Sequence, residues 1–114
     1  MIFMSGLIIQ EPWIDLILEG KKDWEIRGRK TKKREKIKLI KKGSGLIVGE
    51  ADLVDCECLT IKELKKEHNH HQIDDLSKFN YKNYYAWKLK NITKYKKAKH
   101  YNHPRGAVVW VNNL

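Results

Sequence analysis

Apolar and polar residues alternate along much of this chain, with the period of two that is typical of β-strands. The alternating segments contain many β-branched residues, and they are separated by glycine-containing or polar stretches. They predict about six strands, mostly non-parallel, over residues 6–9, 22–27, 37–40, 46–59, 84–95 and 106–112. In the long fourth strand the alternation slips phase near Leu53 and Val54, which predicts a bend at that point.

Two short helices interrupt the predicted strands. Pro12 suits the first turn of a helix, and Gly20 suits its end. A second helix begins after Thr60, because threonine is a good N-cap. The stretch over residues 68–80 is a polar excursion, and its histidine-rich start at residues 68–71 predicts a flexible loop. The order of elements predicts a mainly β fold with short helices (α+β), in which about six strands close into a small β-barrel.

Composition limits the class of protein. The chain has 114 residues, of which 41% are apolar and 33% charged, so we expect one globular domain spanning residues 1–114. No apolar run is long enough to span a membrane, and the short apolar segment at residues 1–9 lacks the basic start of a signal peptide. Cys56 and Cys58 are too close together for an ordinary disulfide, which favours a reducing cytoplasm.

Positive charge is concentrated in two blocks. Residues 27–42 contain ten basic residues and a single acid, Glu35, and residues 76–114 contain nine basic residues and no acid. The rest of the chain is net negative, although the whole carries a formal charge of +10. A polarised surface of this kind attracts polyanions, most commonly nucleic acid. The alternative is a lysine-rich composition without a binding role.

Charges of both signs occupy the predicted strand after the first helix. Alternation places Glu25 and Arg27 on one face, and the long side chain of Lys22 can reach the same place. A carboxylate between two cations suits the edge of a nucleic-acid base, because the carboxylate accepts from an exocyclic amine while the cations bind carbonyl or phosphate oxygens. A purely structural ion pair is the alternative interpretation.

The stretch "PWIDLILEGKKDWEIRGR" resembles the start of the ASCH (activating-signal-cointegrator homology) domain. The matching positions are Pro12, Trp13, Gly20, Lys22, Glu25 and Arg27. The later segments "GLIVGEADLVDC", "YAWKLKNITKY" and "RGAVVWV" resemble the family's central, penultimate and closing strands, so that the likeness extends from residue 6 to residue 111. The resemblance implies a PUA-like β-barrel that binds RNA or a modified nucleoside.

The resemblance also implies two enzymatic alternatives that use Lys22, Glu25 and Arg27. One branch of ASCH-like proteins removes the acetyl group from N4-acetylcytidine with a nucleophilic lysine at the position of Lys22. Glu25 stands where those enzymes have threonine, and a carboxylate there favours the ammonium form over the nucleophilic amine. The third residue of that set has no clear counterpart, although Glu67 lies in the right region. The second alternative is a ribonuclease, to which His100 or His103 would contribute.

The remaining candidates are residues for nucleic-acid contact. Aromatic side chains among lysines can stack on unpaired bases while the lysines follow the backbone. The residues predicted to contact nucleic acid are Trp13, Arg29, Lys32, Lys33, Arg34, Tyr85, Lys88, Lys90 and Arg105. The three histidines at 68, 70 and 71 lack the partners of a zinc site. We therefore predict no metal and no cofactor, and we expect single-stranded RNA or a modified base as the partner.

Overall fold

The computed structural model describes residues 3–114, which form six strands and four short helical segments. The strands are β1 (Gly6–Ile9), β2 (Trp24–Arg27), β3 (Glu35–Lys41), β4 (Leu46–Leu59), β5 (Tyr84–His100) and β6 (Trp110–Val111). The helices are α1 (Trp13–Leu18), α2 (Ile61–Lys65) and α3 (His68–His71), and a 3₁₀ turn follows at Leu76–Lys78. The prediction of a mainly β chain with short helices is confirmed.

All six strands belong to one sheet, in the order β2-β5-β4-β3-β1-β6. β1 runs parallel to β3, and the other neighbouring pairs are antiparallel, so the prediction of mostly non-parallel strands is confirmed. β2 and β6 lie at the two ends of the sheet, and no backbone ladder joins them within residues 3–114. The closed barrel expected from the sequence is therefore not confirmed.

Side chains bridge the two ends of this open sheet. The Arg27 Nη2 atom on β2 donates a hydrogen bond to the Ile8 carbonyl oxygen on β1 at 2.7 Å. The Trp87 ring on β5 stacks on the Trp110 ring on β6, with ring centres 5.8 Å apart. The sheet must curve strongly for these contacts to form, because four strands separate its two ends. β2 and β1 therefore face each other across the concave side of the sheet.

Apolar side chains are buried on both sides of the sheet. One cluster joins α1 to the sheet and contains Leu7, Ile9, Ile14, Ile17, Ile37, Leu39, Ala51, Leu53, Trp87 and Leu89. A second cluster lies under α2 and the 3₁₀ turn and contains Ile26, Leu59, Leu64, Ile73, Leu76, Tyr84 and Ala86. Burial of this apolar area is the main source of stability in a domain of this size.

β4 follows the sequence prediction closely. It runs from Leu46 to Leu59 as predicted, and its register with β5 shifts between Leu53 and Asp55, which confirms the predicted bend. The register shifts again near Gly49, where a Cβ atom would clash with the Thr93 carbonyl oxygen on β5. Glycine is required at that position because the two backbones approach so closely.

The ends of four other strands differ from the prediction. β3 runs from Glu35 to Lys41 and is longer at both ends than the predicted 37–40. β2 begins at Trp24, so Lys22 lies in the turn before it, and β5 continues to His100. β6 contains two residues, because its ladder with β1 is limited to the pairs Gly6–Val111 and Leu7–Trp110. Most of the predicted last strand is therefore irregular chain.

The stretch over residues 68–80 is a correction to the sequence analysis. Residues 68–71 are predicted to be a flexible loop, but they form α3, the 3₁₀ turn follows, and His71 is 1% exposed. Both nitrogens of that ring are satisfied, since Nε2 donates to the Leu64 carbonyl oxygen at 2.7 Å and Nδ1 accepts from the Ile73 amide at 2.9 Å. A neutral imidazole bonded in this way can be buried like an apolar residue.

The other helices agree with their sequence signals. The Thr60 hydroxyl oxygen accepts from the Glu63 amide at 3.1 Å, and the Glu63 carboxylate accepts from the Thr60 amide at 2.9 Å. These two bonds form a capping box at the start of α2, which confirms the predicted cap. None of the helices within residues 3–114 is long and apolar enough to cross a membrane.

Candidate functional site

Lys22, Glu25 and Arg27 form one charged cluster on the concave side of the sheet. The Glu25 carboxylate accepts two hydrogen bonds from Arg27, from Nε at 3.0 Å and from Nη2 at 2.8 Å. The Lys22 Nζ atom lies 3.7 Å from the other carboxylate oxygen of Glu25. Because the faces of β2 alternate, Glu25 and Arg27 point into the concave side while Ile26 joins the apolar cluster under α2.

Two of the three charged groups are buried, and Arg27 is partly buried. Lys22 is 1% exposed and Glu25 is 5% exposed, and within residues 3–114 their only charged neighbours at salt-bridge distance are each other and Arg27. Burial lowers the pKa of Lys22 from its ordinary value of 10.5 to about 8. The Glu25 carboxylate raises that pKa, but desolvation of the ammonium is the larger effect. Lys22 is therefore protonated at pH 7, yet it loses its proton more readily than an exposed lysine.

A backbone carbonyl from α3 fixes the position of Lys22. The Lys22 Nζ atom donates to the His71 carbonyl oxygen at 2.7 Å. α3 is held against β2 by the His70 ring, which stacks on Trp24 with ring centres 4.4 Å apart and bonds the Asp23 carboxylate at 2.8 Å through Nδ1. The histidine-rich stretch thus positions the lysine, which the sequence did not reveal.

The charged cluster forms one wall of a cleft of about 180 Å³. Trp13 lines the cleft, and it is joined by Phe79 and Tyr81, which the sequence analysis missed. The Lys22 Nζ atom lies 5.0 Å from the centre of the Trp13 ring, within cation–π range. A planar group that enters this cleft would meet aromatic rings as well as hydrogen-bond donors and a carboxylate.

Four of the predicted nucleic-acid contacts lie on the loop between β2 and β3. They are Arg29, Lys32, Lys33 and Arg34. The Arg34 Nη1 atom donates to two carbonyl oxygens of its own loop, at 3.0 Å and 2.8 Å, which braces the loop. The Arg29 carbonyl oxygen accepts from the Trp87 indole at 2.9 Å, which anchors the same loop to the sheet. The loop starts directly after Arg27, but none of these four cations lines the cleft itself. Arg29 lines an adjoining groove, and Lys32 and Arg34 line a separate one.

The other predicted contacts lie away from the cleft. Tyr85 lines a separate groove with the loop cations and the two cysteines. Lys88 is paired with acids on β4, with Nζ 2.8 Å from Glu57 and 3.7 Å from Asp55, so its charge is already partly neutralised. Lys90 is exposed on β5, and Arg105 is exposed in the turn before β6.

The residues named for an enzymatic mechanism outside the cluster do not line the cleft. Glu67 lies next to His70, 3.8 Å from its Nε2 atom, and His100 is exposed at the end of β5. His103 bonds the Tyr101 hydroxyl at 2.7 Å and the Ala107 carbonyl oxygen at 2.9 Å within its own turn. Within residues 3–114, no three His, Cys, Asp or Glu side chains are grouped to hold a metal ion.

Titration of Lys22 tests this description of the site. We expect the Lys22 side chain to titrate near pH 8 when its Cε and Nζ chemical shifts are followed by NMR. Substitution of Glu25 by Gln should lower the midpoint further, because the carboxylate raises the pKa. Between pH 8 and 10.5 the unfolded chain holds a proton that the folded chain has lost, so this residue makes stability rise with pH in that window.

An internal control is available in the same spectrum. Lys41 is bonded by the Glu11 carboxylate, which raises its pKa, so it should titrate above its ordinary value. A midpoint for Lys22 at or above that of Lys41 would contradict the buried position described for Lys22.

Comparison with known proteins places the chain in a family. The sequence model of the ASCH domain matches residues 7–100, and the chain therefore belongs to the ASCH domain family. The resemblance seen in the sequence is confirmed. No curated protein matches the chain in sequence.

Solved ASCH structures share the fold. The crystal structure of ASCH from Zymomonas mobilis is 14% identical, with a TM-score of 0.64 over 80% of this chain and 69% of that chain. A serine-to-alanine mutant of that protein gives a TM-score of 0.65, again at 14% identity, over 80% of this chain and 70% of that one. A tyrosine-to-phenylalanine mutant gives 0.66 at 14% identity, over 80% of this chain and 71% of that one.

Proposed function

We propose that the protein binds single-stranded RNA and holds one base in the cleft. The observation that supports this most directly is the charged cluster of Lys22, Glu25 and Arg27, which lines the cleft together with three aromatic residues. Aromatic rings bind the face of a base, and charged hydrogen-bonding groups bind its edge. ASCH domains belong to the PUA-like folds, which are generally linked to RNA, and the basic loop beside the cleft suits the phosphate backbone.

The energetics of the cluster favour a ligand site over a structural ion pair. Desolvation disfavours the ammonium of Lys22 by more than the Glu25 carboxylate favours it, as the lowered pKa of Lys22 indicates. A buried ammonium that loses more by desolvation than it gains from the carboxylate does not stabilise the fold. An apolar side chain at that position would give a more stable fold. A buried, destabilising charge at a cleft is typical of a functional site.

The basic loop supplies the second half of the proposed interface. Its cations are exposed or half-buried, and they come from the first of the two basic blocks. Phosphate contacts of this kind set affinity and orientation without reading the sequence. Base preference is therefore assigned to the cleft and overall affinity to the loop.

The salt dependence of RNA binding tests the proposal. We expect the affinity for a fluorescent single-stranded RNA to fall steeply with salt, with a slope of roughly −0.7 for each contacted phosphate. Replacing Lys32, Lys33 and Arg34 together by Ala should make the slope shallower while base preference is unchanged. Fluorescence anisotropy over a range of salt concentrations measures both quantities.

A matched control carries the same change in charge. Lys62, Lys65 and Lys66 are exposed on or just after α2, outside the loop and the cleft. Their replacement by Ala should leave the slope as it is in the wild type. Affinity that does not change with salt would contradict an electrostatic interface. An equal change in slope for the two triple variants would mean that the basic loop contributes no more than any other exposed lysines.

The lowered pKa of Lys22 favours a second function, a small hydrolase that acts on RNA or on an acetylated cytidine. An amine with a pKa of about 8 is present in neutral form at pH 7 in about one molecule in ten, which suits a nucleophile or a proton carrier. Incubation with an RNA pool and with N4-acetylcytidine, followed by mass spectrometry, would detect strand scission or deacetylation. Unchanged substrates would leave binding as the function.

We also propose that the protein works in the cytoplasm. Cys56 and Cys58 are free thiols, as a reducing compartment would keep them. No cofactor is needed for the binding function, because base and phosphate contacts come from side chains alone.

A further inference from the structure

We propose that the ligand is an RNA strand of at least two nucleotides, because a second subsite adjoins the cleft. This inference rests on the proposed function and extends it. The second subsite, here called the Trp110 groove, has a volume of about 570 Å³ and is lined by residues 27–31, 80–82, Trp87, Val109 and Trp110. It shares Arg27, Tyr81 and Val109 with the cleft, so the two spaces are neighbours.

The cleft and the Trp110 groove are lined by different charges, which suits them to different parts of a nucleotide. The cleft contains the Glu25 carboxylate, which can accept hydrogen bonds from a base. The Trp110 groove is lined by the cations Arg27, Arg29, Lys30 and Lys82, and none of its lining residues among those described is acidic. A cationic surface without an acid suits a phosphate group. Arg29 and Lys30 come from the first basic block and Lys82 from the second, so the two blocks meet here.

The Trp110 groove also has a rigid aromatic surface. Trp110 is half-buried, and it is stacked on the buried Trp87 ring with an angle of 15° between the planes. The Lys33 Nζ atom lies 5.2 Å from the centre of the Trp110 ring. A base that lies against this ring would have a cation beside it, a combination that proteins use for unpaired nucleotides.

A free nucleoside can occupy the cleft, but it cannot fill the cleft and the Trp110 groove at the same time. It has no phosphate for the cations of the Trp110 groove and no second base for Trp110. The loop that lines the groove is anchored to the sheet, because the Trp87 indole donates to the Arg29 carbonyl oxygen at 2.9 Å. The structure therefore assigns the cleft to one nucleotide and the Trp110 groove to the phosphate and base of its neighbour.

The test compares nucleosides with dinucleotides. Affinities of the wild-type protein for the four ribonucleosides and the sixteen ribodinucleotides are measured by NMR titration. We expect the best dinucleotide to bind at least about tenfold more tightly than its best component nucleoside. In a variant with Arg29→Ala and Lys82→Ala, two exposed residues outside the cleft, this advantage should be lost while nucleoside binding stays the same.

A control variant with Lys96→Ala and Lys97→Ala removes the same charge from exposed positions farther along β5. It should keep the dinucleotide advantage. If nucleosides bind but dinucleotides bind no better, or if the Arg29/Lys82 variant keeps the advantage, the second subsite is overturned and the cleft remains. If neither nucleosides nor dinucleotides bind, the proposed function fails and the subsite fails with it.

Discussion

Substitution of Glu25 by Gln is expected to lower the free energy of unfolding by about 3–5 kcal/mol, the usual effect of removing one partner from a buried ion pair. The reason is that the buried Glu25 carboxylate pairs with two cations, the partly buried Arg27 at 2.8 Å and the buried Lys22 at 3.7 Å. Glutamine has the same shape but no charge, so the two cations would lose their counter-charge. Urea denaturation at pH 7 measures the change.

The exposed pair of Lys33 and Glu35 provides the control. Their charged atoms are 3.8 Å apart, similar to the distance from Lys22 to Glu25, but their side chains are 33% and 45% exposed. Substitution of Glu35 by Gln should therefore cost at most about 1 kcal/mol. Equal effects of the two substitutions would mean that solvent screens the cluster and that the charges in the cleft are not desolvated.

Substitution of Lys22 by Met is expected to have the opposite effect on stability and to remove ligand binding. The lowering of the Lys22 pKa from 10.5 to about 8 corresponds to about 3 kcal/mol against the ammonium at pH 7. Loss of the hydrogen bond to the His71 carbonyl oxygen costs about 1–3 kcal/mol. We therefore expect unchanged or slightly higher stability, together with at least a tenfold weaker affinity for RNA.

Thermal melting and anisotropy on the same samples measure these two effects. The matched control is Lys21→Met, because Lys21 is exposed next to the site and its Nζ atom pairs with Glu19 at 3.1 Å. Lys21→Met should change neither the melting temperature nor the affinity by a large amount. If Lys22→Met unfolds the protein and Lys21→Met does not, Lys22 is a structural residue and its assignment to the site is wrong.

The charged cluster was predictable because it is local in sequence. Glu25 and Arg27 are two residues apart on one strand, so alternation alone places them on one face. β4 was predictable for a related reason, since a long alternating run of 14 residues leaves little freedom in its assignment. In both cases the two-residue alternation in the sequence is also the alternation of side chains between the two faces of the strand.

The opposite wall of the cleft could not be predicted in this way. Phe79 and Tyr81 lie in irregular chain before β5, where no periodicity indicates which side chains turn inward. His71 was misjudged because histidine is polar on average, whereas its burial depends on partners that only the folded chain provides. Tyr85 lines a separate groove with the loop after β2, and no pattern in the sequence indicates which of the two spaces it enters.

The position of β2 has a consequence for how the protein is made. β2 pairs only with β5 among the strands of residues 3–114, and β5 begins at Tyr84, long after β2 has left the ribosome. The carbonyl that holds Lys22 belongs to His71, 49 positions later in the chain. Contacts of such large sequence separation form late in folding. A nascent or truncated chain that ends before residue 84 therefore carries Lys22, Glu25 and Arg27 but lacks the strand with which β2 pairs.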